Sequence, residues 1–373
     1  MLAIPSFAKL RHRVKNARAW LANDPNYIKA GKTPFEVIYE EDIVRVRYYP
    51  PLAEKNIVVD GVQYPCAQKS HRVPLVIVAP LAVNMLIYDL FPQRSLVRFL
   101  RAHGFELYLI DWGNPTRRHN HHTLSTYFAS FMPRLLTHIR QHSGSEELSL
   151  HGWSMGGIFS ISYTALSEDK NIRNMVLLGT PCDYHDNGVI GEQYKRISRT
   201  LSWVRNTTGL RAHNMPSALW RSPGWANSLA FKLTSPANSL KGYWELIRQL
   251  DDDEFVNNHA TNSAFLDHMV AYPGGVLQDA THFLCVNNVM AQNRLPMAGN
   301  HTFTPVQSNL LFINGQHDTI VRPECTRPLQ DMVSSKDQHM EVVTGGHVGI
   351  VSGRFAPAES WPLIAEWLAA RSN

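Results

Sequence analysis

Apolar positions along the chain follow two rhythms. Short, nearly continuous runs recur at Val73–Ala79 (VPLVIVA), Phe105–Ile110 (FELYLI), Leu148–His151 (LSLH), Met175–Leu178 (MVLL), Leu310–Ile313 (LLFI) and Met340–Val343 (MEVV). A run without alternation reads as a strand buried on both faces of a parallel sheet. Between the runs apolar residues return at helical spacing. They do so at Leu96, Val97, Phe99 and Leu100, along a long helix capped by Thr123 and ending near His142, over Ser160–Leu166, and over Pro362–Ala370. An earlier stretch, Phe35–Arg47, is rich in Val, Ile and Tyr and reads as one more strand. Strand-helix alternation predicts an α/β fold, with a mostly parallel sheet and helices on both faces.

From about residue 182 to 304 the pattern turns helical and shows no buried strand. This block reads as a helical cap inserted between two strands. The expected organisation is an N-terminal amphipathic segment at 1–32, core at 33–181, cap at 182–304 and core again at 305–373. Trp203, Trp220, Trp225 and Trp244 are expected mainly inside the cap, with pocket lining as the alternative. The acidic run Asp251–Glu254 reads as a helix N-terminus or a solvated loop. At the start of the chain, Phe7, Leu10, Val14, Ala17 and Leu21 share one helical face, and Lys9, Arg11, Arg13, Lys15 and Arg18 take the others. The expectation is a helix docked on the domain with its charges in water; the alternative is a helix lying on a lipid-like or polymer surface. Asn23-Asp24-Pro25 ends it, because the residue before a proline is pushed out of the helical region.

Composition changes this picture only by exclusion. Gly and Pro together make up about one residue in eight, which excludes collagen-like repeats and low complexity. Lys and Arg exceed Asp and Glu by only five, without clustering in the body, so nucleic acid is not an expected partner. Cys66, Cys182, Cys285 and Cys325 show no metal or C-x-x-C spacing and read as free thiols of a reducing compartment. No apolar run approaches the ~20 residues of a bilayer span. No secretory signal is visible before Lys9, so a cytoplasmic protein, soluble or peripheral, is expected.

The candidate chemistry sits at strand ends. Gly152-Trp153-Ser154-Met155-Gly156 matches G-x-S-x-G between strand LSLH and a helix, the setting of a nucleophile elbow. Side chains at the flanking glycines would collide with the neighbouring strand or helix, and Gly157 extends the small-residue cluster. A serine hydroxyl needs a general base, and the base needs an orienting acid. Asp318 follows strand LLFI and His347 follows strand MEVV, giving the order Ser, Asp, His of α/β-hydrolases. Taken singly, Asp318 could be a turn residue and His347 a loop histidine; together they predict a triad. The oxyanion donors are expected on the backbone N–H of Met155 and on Leu81 or Ala82, since Pro80 has none. His119, His121 and His122 read as a solvated loop, not a metal site, and His317 as a neighbour of Asp318. No nucleotide-phosphate cradle is present, and no cofactor is expected.

Several stretches carry a family likeness. They are Thr33–Asp42 (TPFEVIYEED), Pro74–Val78, Ser95–Leu100, Leu109–Pro115 (LIDWGNP), Gly179-Thr180-Pro181, Leu250–Val256 and Gly345–Ile350 (GGHVGI). Through them the chain resembles the polyhydroxyalkanoate synthases, especially the smaller ones that work with a partner subunit. The resemblance implies an α/β-hydrolase fold and acyl-enzyme chemistry on hydroxyacyl-CoA, which would be a substrate. It carries the nucleophile onto Ser154, the acid onto Asp318, the base onto His347 and the second oxyanion donor onto Ala82. The polymerising enzymes have cysteine where this chain has Ser154, and an Asn-basic pair where it has Asn84-Met85. Serine forms an oxygen ester, lower in energy than a thioester, and hands its acyl group to water or an alcohol. The expectation is therefore a serine hydrolase on (hydroxy)acyl esters or thioesters. The alternatives are a synthase or acyltransferase acting with a partner subunit or as a homodimer, and a non-catalytic protein of polyester inclusions or membrane surfaces held by residues 7–21.

Overall fold

The computed structural model describes residues 7–22, 24–209, 212–233 and 236–373. Met1–Ser6, the side chain of Phe7, and Asn23, expected to end the first helix, lie outside the described residues. Helix α1 spans Phe7–Leu21. The strand expected over Phe35–Arg47 is two, β1 (Glu36–Glu41) and β2 (Val44–Tyr49), because Asp42 takes a left-handed φ of 54° and turns the chain. A small hairpin follows, β3 (Asn56–Val59) and β4 (Val62–Pro65), which the apolar pattern does not reveal. The predicted runs are all strands: β5 (Leu75–Val78), β6 (Leu107–Asp111), β7 (Leu148–Trp153), β8 (Ile172–Leu178), β9 (Asn309–Gly315) and β10 (Gln338–Val343). Strand β10 is not buried on both faces, however, because it is an edge strand with Val342 exposed.

The sheet order is β1-β2-β6-β5-β7-β8-β9-β10, parallel from β6 to β10, with β1 and β2 antiparallel at one edge. Every residue of β5, β6 and β7 is buried, so both faces of the sheet are covered. Helix α2 (Leu96–Ala102) packs with the C-terminal helix Ser360–Ala369 through Phe99 and Trp361, whose rings lie 5.5 Å apart. The helix expected from Thr123 opens instead with a π-helical segment, Thr126–Phe131, before α3 (Met132–Ser143). Its Tyr127 stacks at 5.2 Å on Phe159 of α4 (Met155–Ser167). All four cysteines are free, and Cys182 and Cys325 are buried.

Between β8 and β9 the described residues are helical: α5 (Gly188–Thr208), α6 (Gly224–Leu233), α7 (Pro236–Arg248), α8 (Asp253–Asp267), α9 (Gly274–Asp279) and a π-helical Ala280–Val286. This insertion joins the core through buried Phe265, Val276, Leu284 and Met290, and along polar seams. Asn84 donates to the carbonyls of Phe265 and His268 at 3.0 and 3.1 Å, Val270 N to Ala82 O at 3.1 Å, and Gly275 N to Asn120 O at 2.8 Å. Among the described residues no helix is long and apolar enough to cross a membrane.

Two expectations about surfaces fail. Helix α1 docks by its polar side. Asn16, fully buried, donates to Leu250 O at 3.0 Å and to Asp253 at 2.8 Å, and Arg13 bonds Asp251 at 2.8 Å. The expected inner face looks outward instead, with Leu10, Val14 and Leu21 exposed by 50%, 43% and 72%. The acidic run decides this: Asp252 caps α8 by accepting from Phe255 N, and its neighbours Asp251 and Asp253 offer the helix a charged dock. Trp203, Trp225 and Trp244 are likewise exposed, not cap core.

Candidate active site

Strand β7 ends in Trp153, and the chain turns at Ser154 with φ 54° and ψ −119° before entering α4. A non-glycine residue in this region costs about 1–3 kcal/mol, and it is held by its surroundings. Ser154 N donates to Leu178 O of β8 at 2.8 Å. The glycines make the turn fit. A Cβ on Gly156 would lie 2.0 Å from Val78 O, one on Gly157 1.9 Å from Thr180 Oγ1, and one on Gly152 2.6 Å from Gly157 Cα. Ser154 is half-buried at the N-terminus of α4, where aligned peptide dipoles favour negative charge.

Two and three strands away, β9 and β10 deliver the other two residues. The Asp318 side chain is wholly buried, and its Oδ1 accepts from Ile320 N and Val321 N, both at 2.8 Å. Its Oδ2 accepts from His347 Nδ1 at 2.8 Å. That bond leaves the proton of a neutral imidazole on Nδ1 and the lone pair on Nε2. Trp153 supports the same histidine: its Nε1 donates to His347 O at 3.1 Å, and the two rings lie 5.5 Å apart. Gly179 lets the ring approach, since a Cβ there would sit 3.2 Å from it. Among the described residues no hydrogen bond joins Ser154 Oγ to His347; such contacts often tighten only with substrate bound.

The turn after β5 is buried at Leu81 and Ala82, and Ala82 holds a left-handed φ of 66°. Ala82 O is taken by Val270 N, which ties the turn to the insertion. Among the described residues no acceptor meets the N–H groups of Leu81, Ala82 or Met155.

A cleft of about 500 Å³ reaches His347 from between α6, α7 and α8. Phe231, Tyr243, His259 and Leu266 line it from the insertion, and His317 and Val348 from the core. None of the insertion residues carries a motif, and only the fold brings them to the strand ends. His317, read as a bystander, faces this cleft.

The histidine loop needs correction. His119 and His122 are buried, not solvated; only His121 is exposed. His119 Nε2 meets Asp42 at 2.7 Å, and its Nδ1 accepts from Thr116 N at 2.8 Å. The cause lies far along the chain, where α9 closes over the loop through Gly275. Burial pushes the His122 imidazole down to about 4. Among the described residues no group of three or more His, Cys, Asp or Glu could hold a metal ion.

Residues 84–353 match the alpha/beta hydrolase fold family. The poly(3-hydroxyalkanoate) polymerase subunit PhaC of Allochromatium vinosum is 30% identical over 92% of this chain and 90% of its own. The chain belongs to the polyhydroxyalkanoate polymerase family of alpha/beta hydrolases. The PhaC subunit of Haloferax mediterranei is 30% identical over 93% of this chain, which spans 66% of that relative's length. A soluble variant of monoglyceride lipase from Saccharomyces cerevisiae shares the fold, with a TM-score of 0.54 at 13% identity, covering 92% of this chain and 97% of its own.

Proposed function

We propose that this member of the family is a serine acyl-transfer enzyme acting on (hydroxy)acyl esters or thioesters, with hydrolysis as its main outcome. The observation that supports it is a serine in left-handed backbone at a helix head, in the same sheet edge as an imidazole oriented by a buried carboxylate. Ser154 Oγ attacks the acyl carbonyl carbon as His347 Nε2 takes its proton. The C–O or C–S bond to the leaving group breaks, and His347 returns the proton to the departing oxygen or sulfur. Asp318 takes no proton; it keeps the imidazole turned and stabilises its cationic form. The N–H groups of Met155 and Ala82 receive the developing oxyanion. Water, deprotonated by His347, then releases the acid and frees the serine. No cofactor enters these steps, and CoA would be a leaving group.

Family membership supports a second reading. The acyl-serine is attacked by the hydroxyl of another hydroxyacyl group, giving ester-linked oligomer, with a partner subunit or a second copy assisting. In both readings the outward face of α1 offers a seat on a polyester or lipid surface, with basic Arg11, Lys15 and Arg18 exposed beside Leu10 and Val14.

Product analysis with 3-hydroxybutyryl-CoA and simple acyl esters tests the assignment. Free acid, reduced by about 10⁴-fold in Ser154→Ala, is the expected result. Ester-linked oligomers would replace it with the second reading. Turnover that survives in Ser154→Ala would overturn both.

A further inference from the structure

Helix α1 lies on the outside of the wall that closes the cleft. Arg13 and Asn16 clamp it to the start of α8 and the end of α7. Tyr27 donates to Asn16 Oδ1 at 3.0 Å, which holds the segment following the helix against the same clamp. One turn beyond Asn16, Trp20 is half-buried and meets two aromatic rings edge-on. Tyr243 of α7 lies 6.1 Å away at 70°, and His259 of α8 5.9 Å away at 69°. Tyr243 and His259 also meet each other, at 5.6 Å. These two side chains line the cleft that reaches His347.

An edge-to-face aromatic cluster contributes about 0.5–1.5 kcal/mol per pair beyond its buried area, and it fixes ring orientation. Here the cluster has two sides. Its inner side faces the cleft, and its outer side is a residue more than 220 positions away in sequence. Tyr243 is exposed on its outer side with a cavity of about 500 Å³ beside it; besides Trp20 and His259 it meets Lys232, and His259 meets Ser263.

We propose that Trp20 is a positioning residue for the cleft: it holds Tyr243 and His259 in the wall opposite His347, and so sets how closely the wall grips the acyl chain. The inference rests on the reading of this cleft as the substrate site of a serine acyl-transfer enzyme. With the indole gone, the two rings lose their outer aromatic contact and turn outward into the space it leaves. The acyl chain is then bound more loosely, while Ser154, Asp318 and His347 stay on the core strands.

The test compares wild type, Trp20→Ala and Trp20→Phe on p-nitrophenyl esters of short and medium acyl chains, with active sites counted by fluorophosphonate labelling of Ser154. Trp20→Ala is expected to raise KM by about 3- to 10-fold for the chains the wild type prefers, with kcat per labelled site within about 2-fold. Trp20→Phe is expected to recover most of the loss, because an aromatic edge is restored. In a Tyr243→Ala, His259→Ala background the effect of Trp20→Ala should largely vanish, since it acts through those rings. An unchanged KM in Trp20→Ala overturns the proposal, as does an equal fall in kcat across all chain lengths without rescue by phenylalanine. If Ser154 is not labelled at all, the functional reading falls first and takes this inference with it; labelling with an unchanged KM removes the inference alone.

Discussion

The core and the helical insertion differ in how much apolar surface they leave in water. In the core, β5, β6 and β7 have no exposed residue, and Trp112, Trp153 and Trp361 are enclosed. In the insertion, Trp225, Leu229 and Leu233 follow at helical spacing along α6, and each is more than half exposed. Trp244 and Ile247 do the same on α7. The insertion docks on the core through one apolar set, Phe265, Val276, Leu284 and Met290, and leaves these other stripes outside. Hydrogen bonds add to that contact: Asn84 donates to Phe265 O and His268 O, and Ala82 O and Asn120 O accept from Val270 N and Gly275 N. A rigid core suits a site whose geometry must not move. A surface of exposed stripes suits contact with something apolar.

The sharpest way to break this contrast is at the glycine interlock. Gly156→Ala places a methyl carbon 2.0 Å from Val78 O, where neither the strand nor α4 has room to yield. The expected cost is about 3 kcal/mol or more, read as loss of soluble protein or a large fall in midpoint on urea titration. An unchanged midpoint would mean that the elbow is softer than its packing indicates. The equivalent change in the insertion, Gly209→Ala at the exposed end of α5, meets no atom within 4 Å and serves as the comparison, with only its left-handed φ of 71° to strain it.

How much of this was legible depended on the range of the interactions. The buried strands announce themselves because a strand covered on both faces admits almost nothing but apolar side chains. The elbow and the positions of Asp318 and His347 are also local, the first two just beyond such strands and His347 beyond the edge strand β10. The orientation of α1 was not legible. Its apolar face is plain in the sequence, but what it turns away from is decided by Asp251 and Asp253, more than 230 residues distant. The burial of His119 and His122 depends in the same way on α9, and the cleft wall on α6–α8. Trp203, Trp225 and Trp244 misled because an aromatic residue in a helical pattern usually marks a core, and here it marks a surface.

A smaller effect separates the two regions by pH. His151 on β7 is fully buried, neither ring nitrogen has a hydrogen-bond partner among the described residues, and burial pushes it from 6.5 down to about 4. Below pH 6.5 the unfolded chain takes up a proton that the folded one refuses until about pH 4. Stability is therefore full above 6.5 and falls as pH drops toward 4, by about 3 kcal/mol for this group. His122, also pushed to about 4, adds a loss of the same sign. At the seam with the insertion, burial raises the Asp279 carboxyl from 3.8 to about 6. There the folded state binds the proton more tightly, so that contribution is full below 3.8 and is lost as pH rises through 6. His151→Leu should remove a large part of the acid loss between pH 6.5 and 4, leaving the midpoint at pH 8 nearly unchanged. An acid limb identical to that of wild type would show that another group carries it.

The least effect on stability is expected where the exposed stripes are made polar. Trp225→Ser and Leu229→Ser on α6, with Leu10→Ser and Val14→Ser on α1, remove side chains that water already reaches. Each should shift stability by no more than about 0.5 kcal/mol, and the thermal midpoint should stay within a few degrees. Were these stripes part of a buried core, large-to-small changes would instead cost about 2–5 kcal/mol each. Binding should respond in the opposite sense to stability. If the stripes and the basic residues beside them seat the protein on an apolar surface, the quadruple variant should sediment less than wild type with polyester inclusions or anionic phospholipid vesicles. A variant that stays folded and sediments as wild type does would leave the exposed stripes without that role, while the contrast in burial between core and insertion would still stand.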